Sequence, residues 1–364
     1  MADERVENVT IGVLADPDLP ARVAHRVRAD LSADLARALD EPVHWRVEVN
    51  DDPFEAMYPD KGHLIDKARD YIRDTSWDLA LCVTDLPLHR NGEVVVVEID
   101  PAHQVALISL PAVGAVRLRR RLREIAVAVV GGLRSRRPES GSPALPMRVR
   151  GLRSVETDGE LRLVRSRPLG TAYLLAGMVR ANRPWQLVVG LSTALAGAMA
   201  GTAFGVLYSN IWSLATSMGP VRLAGVTVAA LVALSTWLIA GHGLWERRDP
   251  GDGIGPDRHL ALRNAGTLTT VAVGTVVFFL ALYLISLGAV ALVISPEYLA
   301  LTLGRPAALL DYPTIALMAT ILGILAGAVG SGLEDDNTVR NVTYGYREQE
   351  RRRVVEQRRR ARKP

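Results

Sequence analysis

Apolar residues follow two patterns along the chain: short β-rich runs and helical spacings before residue 170, and long uncharged runs after residue 184. VTIGVLA (9–15) is apolar without alternation, the pattern of a strand covered on both faces. Over 20–39, Val23, Val27, Leu31, Leu35 and Leu39 recur every fourth residue, which predicts a helix with one buried stripe. VHWRVEV (43–49) alternates and predicts a second strand, 63–74 predicts a second helix, and LALCVTD (79–85) a buried third strand. EVVVVEID (93–100) and QVALISL (104–110) predict two strands joined by a tight turn, followed by a helix over 117–130. The order β-α-β-α-β-β-β-α implies an α/β domain with a mostly parallel sheet and an antiparallel hairpin. Beyond a linker at 133–146, RVRGLRSVETDGELRLVRS (148–166) predicts a hairpin about Asp158-Gly159, a favoured two-residue turn. GTAYLLAGMVRANRP (170–184) reads as a short interfacial helix.

The second pattern belongs to a bilayer. No charged residue occurs over 184–221, 223–245, 264–296 or 312–333. Each run exceeds the roughly 20 residues that cross a hydrocarbon core of about 30 Å. Four transmembrane helices are expected, near 185–208, 222–245, 267–294 and 313–333, as an all-α bundle following the α/β domain. The expected organisation is thus an α/β domain over 1–132, a linker, hairpin and basic juxtamembrane segment over 133–183, the membrane domain over 184–335, and a tail over 336–364. Arginines set the orientation. Arg165, Arg167, Arg180 and Arg183 precede the first span, Arg247, Arg248, Arg258 and Arg263 lie between the second and third, and the tail is strongly basic. The other two connections hold only Arg222 and Arg305. The N-terminus MADERVENVT has no basic region followed by an apolar one, so no signal peptide is expected. Both termini are therefore expected in the cytoplasm, in a multi-pass protein of the plasma membrane.

Composition sharpens this picture. Nearly half of the chain is hydrophobic (49%), and mean hydropathy is +0.14 despite 23% charged residues. The formal net charge of +4 conceals strong blocks: −11 over 1–114, +11 over 115–183, −3 over 184–338 and +7 over 339–364. A single cysteine, Cys82, excludes a disulfide scaffold and a cysteine metal site. In the tail, Arg351, Arg352, Arg353, Arg358, Arg359 and Arg360 form a polybasic segment suited to anionic lipid headgroups. Charge alone does not make a nucleic-acid site, and no interleaved aromatics accompany it, so no nucleic-acid partner is expected. Within the spans, Gly197, Gly201 and Gly205, and Gly323 and Gly327, recur every fourth residue. Such spacing lets helix backbones approach closely, within one chain or in a homo-oligomer.

Candidate chemistry lies at the carboxyl ends of the strands, where open α/β sheets bind ligands. Asp16 and Asp18 follow the first strand, Asp51 and Asp52 the second, and Asp85 the third, with His89 and His103 on the loops beyond. Converging carboxylates suit a hard divalent cation, while aspartates and prolines there equally serve turns. Asp16, Asp85 and His89 are the ligand-binding candidates. ADPDLP (15–20) lacks a G-x-G-x-x-G pattern, and the chain has neither a Walker A lysine nor a G-x-S-x-G elbow. No cofactor is indicated. LALCVTDLPLHRNGEVVVVEIDPAHQVALISLPAVG (79–114) resembles in layout the strand, loop and hairpin that precede the catalytic helix of archaemetzincin-type zinc proteases. Their H-E-x-x-H is missing, since the following helix RLRRRLREIAVAVVGG has no histidine, so no active site carries over.

The expected function is non-enzymatic: a sensor, regulatory or scaffold protein whose cytoplasmic domain binds a ligand or partner above a membrane anchor. The first alternative is a small transporter or channel gated by that domain, with Thr202, Ser209, Asn210 and Thr270 along the path. The absence of ionisable residues near the span centres weighs against ion or proton coupling. The second is a membrane-tethered metal-dependent hydrolase using Asp16 and Asp85.

Overall fold

Strands carry the N-terminal part of the chain and helices the remainder, and the chain divides into two compact units between Ala181 and Asn182. The computed structural model describes residues 7–39, 42–51, 72–90, 92–135, 149–157, 160–166, 169–182, 192–245 and 258–332. Most of the helix expected over 63–74, the Asp158-Gly159 turn, the start of the first span and the six tail arginines fall outside those residues.

The first unit is built on one eight-stranded sheet in the order β2-β1-β3-β6-β5-β8-β7, with β4 pairing on β5. Its strands are β1 (Glu7–Ala15), β2 (Val43–Asp51), β3 (Leu79–Thr84), β4 (His89–Arg90), β5 (Glu93–Asp100), β6 (Val105–Ser109), β7 (Arg153–Thr157) and β8 (Glu160–Arg165). The β2-β1-β3-β6 half is parallel, and every pairing of β5, β7 and β8 is antiparallel. The sheet is therefore mixed rather than mostly parallel. The reason is the 148–166 hairpin, whose apolar Leu161, Leu163 and Val164 are buried where β8 lies along β5. An isolated two-stranded hairpin is marginal in water, and pairing with β5 gives it a buried face.

Helix α1 (Leu19–Leu39) buries Val23, Ala24, Val27, Leu31 and Leu35. After the short α2 (Leu110–Val113), α3 (Leu118–Arg134) buries Leu118, Leu122, Ile125, Val129 and Val130. The helices α1 and α3 pack together: Gly131 abuts Leu39, and Arg123 bridges Asp30 and Asp34. Gly12 has a different task. A Cβ there would fall inside the Trp77 ring, so the missing side chain makes the seat for that indole, whose N–H donates to Glu48 at 2.9 Å. Helix α4 (Leu169–Asn182) docks one face on this unit through Leu174, with Gly177 directly against the Pro111 carbonyl.

The second unit is helical: α5 (Ser192–Leu207), α6 (Ser209–Ser217), α7 (Pro220–Gly241), α8 (Arg258–Val293), α9 (Pro296–Leu303) and α10 (Asp311–Ser331). Among the described residues, three stretches are long and apolar enough to cross a membrane: Pro220–Gly241, Asn264–Val293 and Asp311–Ser331. The first span is expected to end near residue 208, and α5 ends at Leu207; the chain then turns by 83° into α6, which the sequence pattern does not indicate. The break is stabilised because the buried Trp212 indole N–H turns back to donate to the Val206 carbonyl at 3.1 Å. Trp212 also meets Tyr298 of α9 edge-on at 5.8 Å, above a core of Val290, Ile294, Leu299 and Ile315.

Of the three long helices, α10 is the most enclosed, with 61% of its apolar stretch buried against 28% for α7 and α8. The glycines explain how. A Cβ on Gly197, Gly201 or Gly205 would stand within 2.8 Å of Ala326, of Leu322 and Ala326, or of Ala319. Reciprocally, Gly323 and Gly327 lie against Ala198 and Ala194 of α5. Elsewhere hydroxyls pair across helices: Ser286 with Thr320 at 3.0 Å, Ser235 with Thr275 at 3.2 Å, and Asn182 with Thr270 at 3.0 Å. Small residues and interhelical hydrogen bonds are what hold helices together where lipid removes the hydrophobic driving force.

Candidate functional site

After β1 the chain leaves through α1 toward β2 on one side, while β3 lies on the other side of β1. The carboxyl ends of β1 and β3 thus form a topological switch point, where connections diverge and open a crevice. Register puts Ala15 beside Val83. Asp16 is the next residue, and its backbone N–H still donates to the Val83 carbonyl at 3.0 Å. Its side chain is only 4% exposed. Asp85 follows β3 directly and is half-buried. The two aspartates therefore share one edge of the sheet, on adjacent strand ends.

Two hydroxyls complete that edge. Thr84 and Ser109 are register partners on β3 and β6, both fully buried. Thr84 Oγ1 accepts from the Leu86 N–H at 3.1 Å, and Ser109 Oγ donates to the Leu86 carbonyl at 2.6 Å. Together they hold the loop that carries Asp85. Sequence reasoning passed over Thr84, and the available signal was a polar residue closing an apolar strand just before the aspartate. His89 starts β4, which pairs with Val94 at the head of β5. Val94 pairs with Arg165 on its other side, so β4 continues the line of β6 and His89 reaches the same edge.

The other candidates separate from this edge, serve turns or pair at the surface. Asp18 has a left-handed backbone (φ 75°), accepts from the Arg22 N–H through its carbonyl and pairs with the Arg22 guanidinium at 3.3 Å, the work of a helix start. Asp51, the register partner of Ala15, ends on the same edge but is exposed, where it accepts from His25 at 2.9 Å. His103 pairs with Asp100 at 2.9 Å in the β5–β6 turn, at the opposite edge of the sheet. Cys82 is buried within β3. Among the described residues, no group of three or more His, Cys, Asp or Glu side chains is placed to hold a metal ion. Among the same residues, the edge thus offers carboxylates and hydroxyls as hydrogen-bond acceptors and donors.

A second polar assembly uses β5. Glu98 is 3% exposed and lies 3.3 Å from Arg90 and 3.4 Å from Arg162. A buried carboxylate needs such partners, and two guanidinium groups supply them. These contacts tie β4, β5 and β8 together.

Comparison with known proteins gives no match to a family model, to a curated protein or to a solved structure. Function must therefore be argued from the residues themselves.

Proposed function

We propose that this chain is a multi-pass protein of the plasma membrane that carries a cytoplasmic α/β domain for binding a small ligand or a protein partner. The observation that carries the reading is the buried Asp16 beside Asp85 at the switch point of the sheet. Open α/β sheets bind ligands at such a switch point, and burial holds the Asp16 side chain in place there. Hydrogen-bond donors, such as hydroxyls, amines or a hydrated cation, are the ligand groups that suit an edge carrying two carboxylates. The role in this reading is sensory, regulatory or scaffolding.

In this reading the bent α5–α6 pair supplies a fourth span, and both ends of the chain lie in the cytoplasm, as the arginine distribution requires. The tail arginines at 351–353 and 358–360 then rest on anionic lipid headgroups. Ser235, Thr270, Thr275, Ser286 and Thr320 use their hydroxyls across helices, which suits a bundle built for anchoring.

The test is thermal unfolding of the full chain in detergent against a panel of divalent cations, nucleotides and hydroxylated or amino metabolites. A ligand of the edge raises the midpoint of the wild type and not of Asp16→Asn or Asp85→Asn. An equal rise in all three chains, or no rise with any ligand, contradicts the assignment.

A further inference from the structure

Farther along the same sheet edge, beyond β5, two arginines of the first unit lie over one aromatic ring. The Arg165 guanidinium, at the end of β8, is 4.2 Å from the centre of the Tyr173 ring, and that of Arg121, on α3, is 4.9 Å from it. Arg121 donates to the Val113 carbonyl at 3.3 Å and, at a long 3.4 Å, to the Tyr173 hydroxyl. Gly114, with φ 108°, makes room for the ring, since a Cβ there would stand 2.6 Å from it. Arg165 makes no hydrogen bond and no ion pair among the described residues, and its Nε is buried. The nearby acid of α3, Glu124, is held by Arg120 at 2.8 Å.

Two like charges on one ring without a carboxylate are electrostatically incomplete. Burial, and next the Arg121 charge, push the Arg165 guanidinium below its ordinary pKa. The first turn of α3 carries no acid either. Space exists for the missing charge: a Cβ on Gly151 would meet only Arg165 Nη1 within 4 Å. Planar guanidinium forks suit phosphate oxygens in particular.

The surroundings indicate where that phosphate comes from. Among the described residues of the first unit, the exposed large apolar side chains are Val116, at 66%, and Leu169, at 63%. Val116 lies two residues beyond Gly114, and Leu169 precedes Tyr173 by four residues in α4, on the same helix face. Exposed apolar residues beside a basic cluster are the mark of a surface that enters the headgroup layer. We propose that Arg121, Arg165 and Tyr173 bind the phosphate of an anionic phospholipid, with Val116 and Leu169 seated among the adjoining acyl chains. The site differs from the polybasic tail in being built by the folded domain, and it rests on the membrane reading above.

Hydrogen exchange of the full chain in nanodiscs tests it, comparing phosphatidylglycerol with phosphatidylcholine. Exchange over 113–121 and 169–175 should slow at least threefold in the anionic discs. Arg121→Gln with Arg165→Gln should abolish the difference, Arg165→Gln alone should reduce it, and the exposed control Arg119→Gln should retain it. Far-UV circular dichroism checks that each variant is folded, and the wild-type comparison stands even where a variant is not. Equal exchange in both lipids, or protection that survives the double variant, overturns the site. The same protection from inorganic phosphate in phosphatidylcholine discs overturns the lipid as its source. A chain that enters neither disc contradicts the membrane reading itself, which separates that failure from failure of the site.

Discussion

The tightest packing in the helical unit is the seam between α5 and α10, and one substitution there measures it. At Gly201 a new Cβ would lie 2.7 Å from the Ala326 Cβ, 2.8 Å from the Leu322 carbonyl oxygen and 3.1 Å from the Gly323 Cα. None of these atoms can swing aside. Carbon contacts are comfortable at about 3.5–4.0 Å, so α5 must retreat by about 0.7 Å, and a gap of that size forfeits a quarter to a half of each neighbouring contact. Overpacking of this kind costs about 1–3 kcal/mol. Gly225 of α7 and Gly288 of α8 are the internal controls, since a Cβ on either meets nothing within 4 Å. There, alanine should be neutral or stabilise by up to about 1 kcal/mol through helix propensity. Both variants gain the propensity term, so reversible unfolding in mixed micelles, followed by tryptophan fluorescence, should separate Gly201→Ala from Gly225→Ala by the overpacking cost of about 1–3 kcal/mol. Agreement of the two within about 0.5 kcal/mol, half the smallest overpacking cost, would refute the claim that the seam is held by close backbone approach.

Three further outcomes follow from single sites. Gly12→Ala should expel Trp77 from its seat, red-shifting tryptophan emission and destabilising the first unit by about 1–3 kcal/mol in denaturant titration. Thr202 is buried with its hydroxyl unpaired among the described residues, so Thr202→Val should be neutral or stabilising by about 1 kcal/mol in the same micelle assay, whereas a loss would mean that the hydroxyl has a partner. Tyr173 is held below the usual tyrosine range, first by the Arg121 hydrogen bond, then by the Arg121 charge. Its ionised form is the favoured one, so any stabilisation is present above the unfolded value near pH 10 and is lost as pH falls through the lowered one. Absorbance titration should show an early tyrosine step that Tyr173→Phe removes; an unchanged curve would contradict the Arg121–Tyr173–Arg165 geometry.

Much of this was legible in the sequence because the governing physics is local. The apolar runs at 9–15 and 79–85 and the four-residue spacing of α1 announce a buried sheet and its covering helix before any contact is known. Charge-free runs likewise announce helices suited to a bilayer. What the pattern left out depends on distant pairings. Whether the hairpin at 153–165 stands alone or joins β5 is decided by partners about sixty residues away, and this made the sheet mixed. The break at Tyr208 depends on Trp212 reaching back to Val206, since no proline marks it and the run is apolar on both sides. At the carboxyl edge, the aspartates were visible as residues following strands. His103 lies in the turn of the hairpin expected over 93–110, so its place at the far edge was already implied by the sequence. The Arg121–Tyr173–Arg165 cluster joins three segments and has no sequence signature at all.

The central claim is a ligand-binding domain on the cytoplasmic side of four spans, and cysteine accessibility tests it most directly. Cys82 is the single native cysteine and is buried, so Cys82→Ala gives a clean background. Single cysteines at Ser135 after α3, at Leu309 before α10 and at Lys363 in the tail would then be probed in intact cells with a membrane-impermeant maleimide. The expected result is labelling at Leu309→Cys in intact cells, and at Ser135→Cys and Lys363→Cys only after lysis. Labelling of Ser135→Cys and Lys363→Cys on opposite sides would mean an odd number of spans, and labelling of Ser135→Cys in intact cells would place the domain outside; either result contradicts the account.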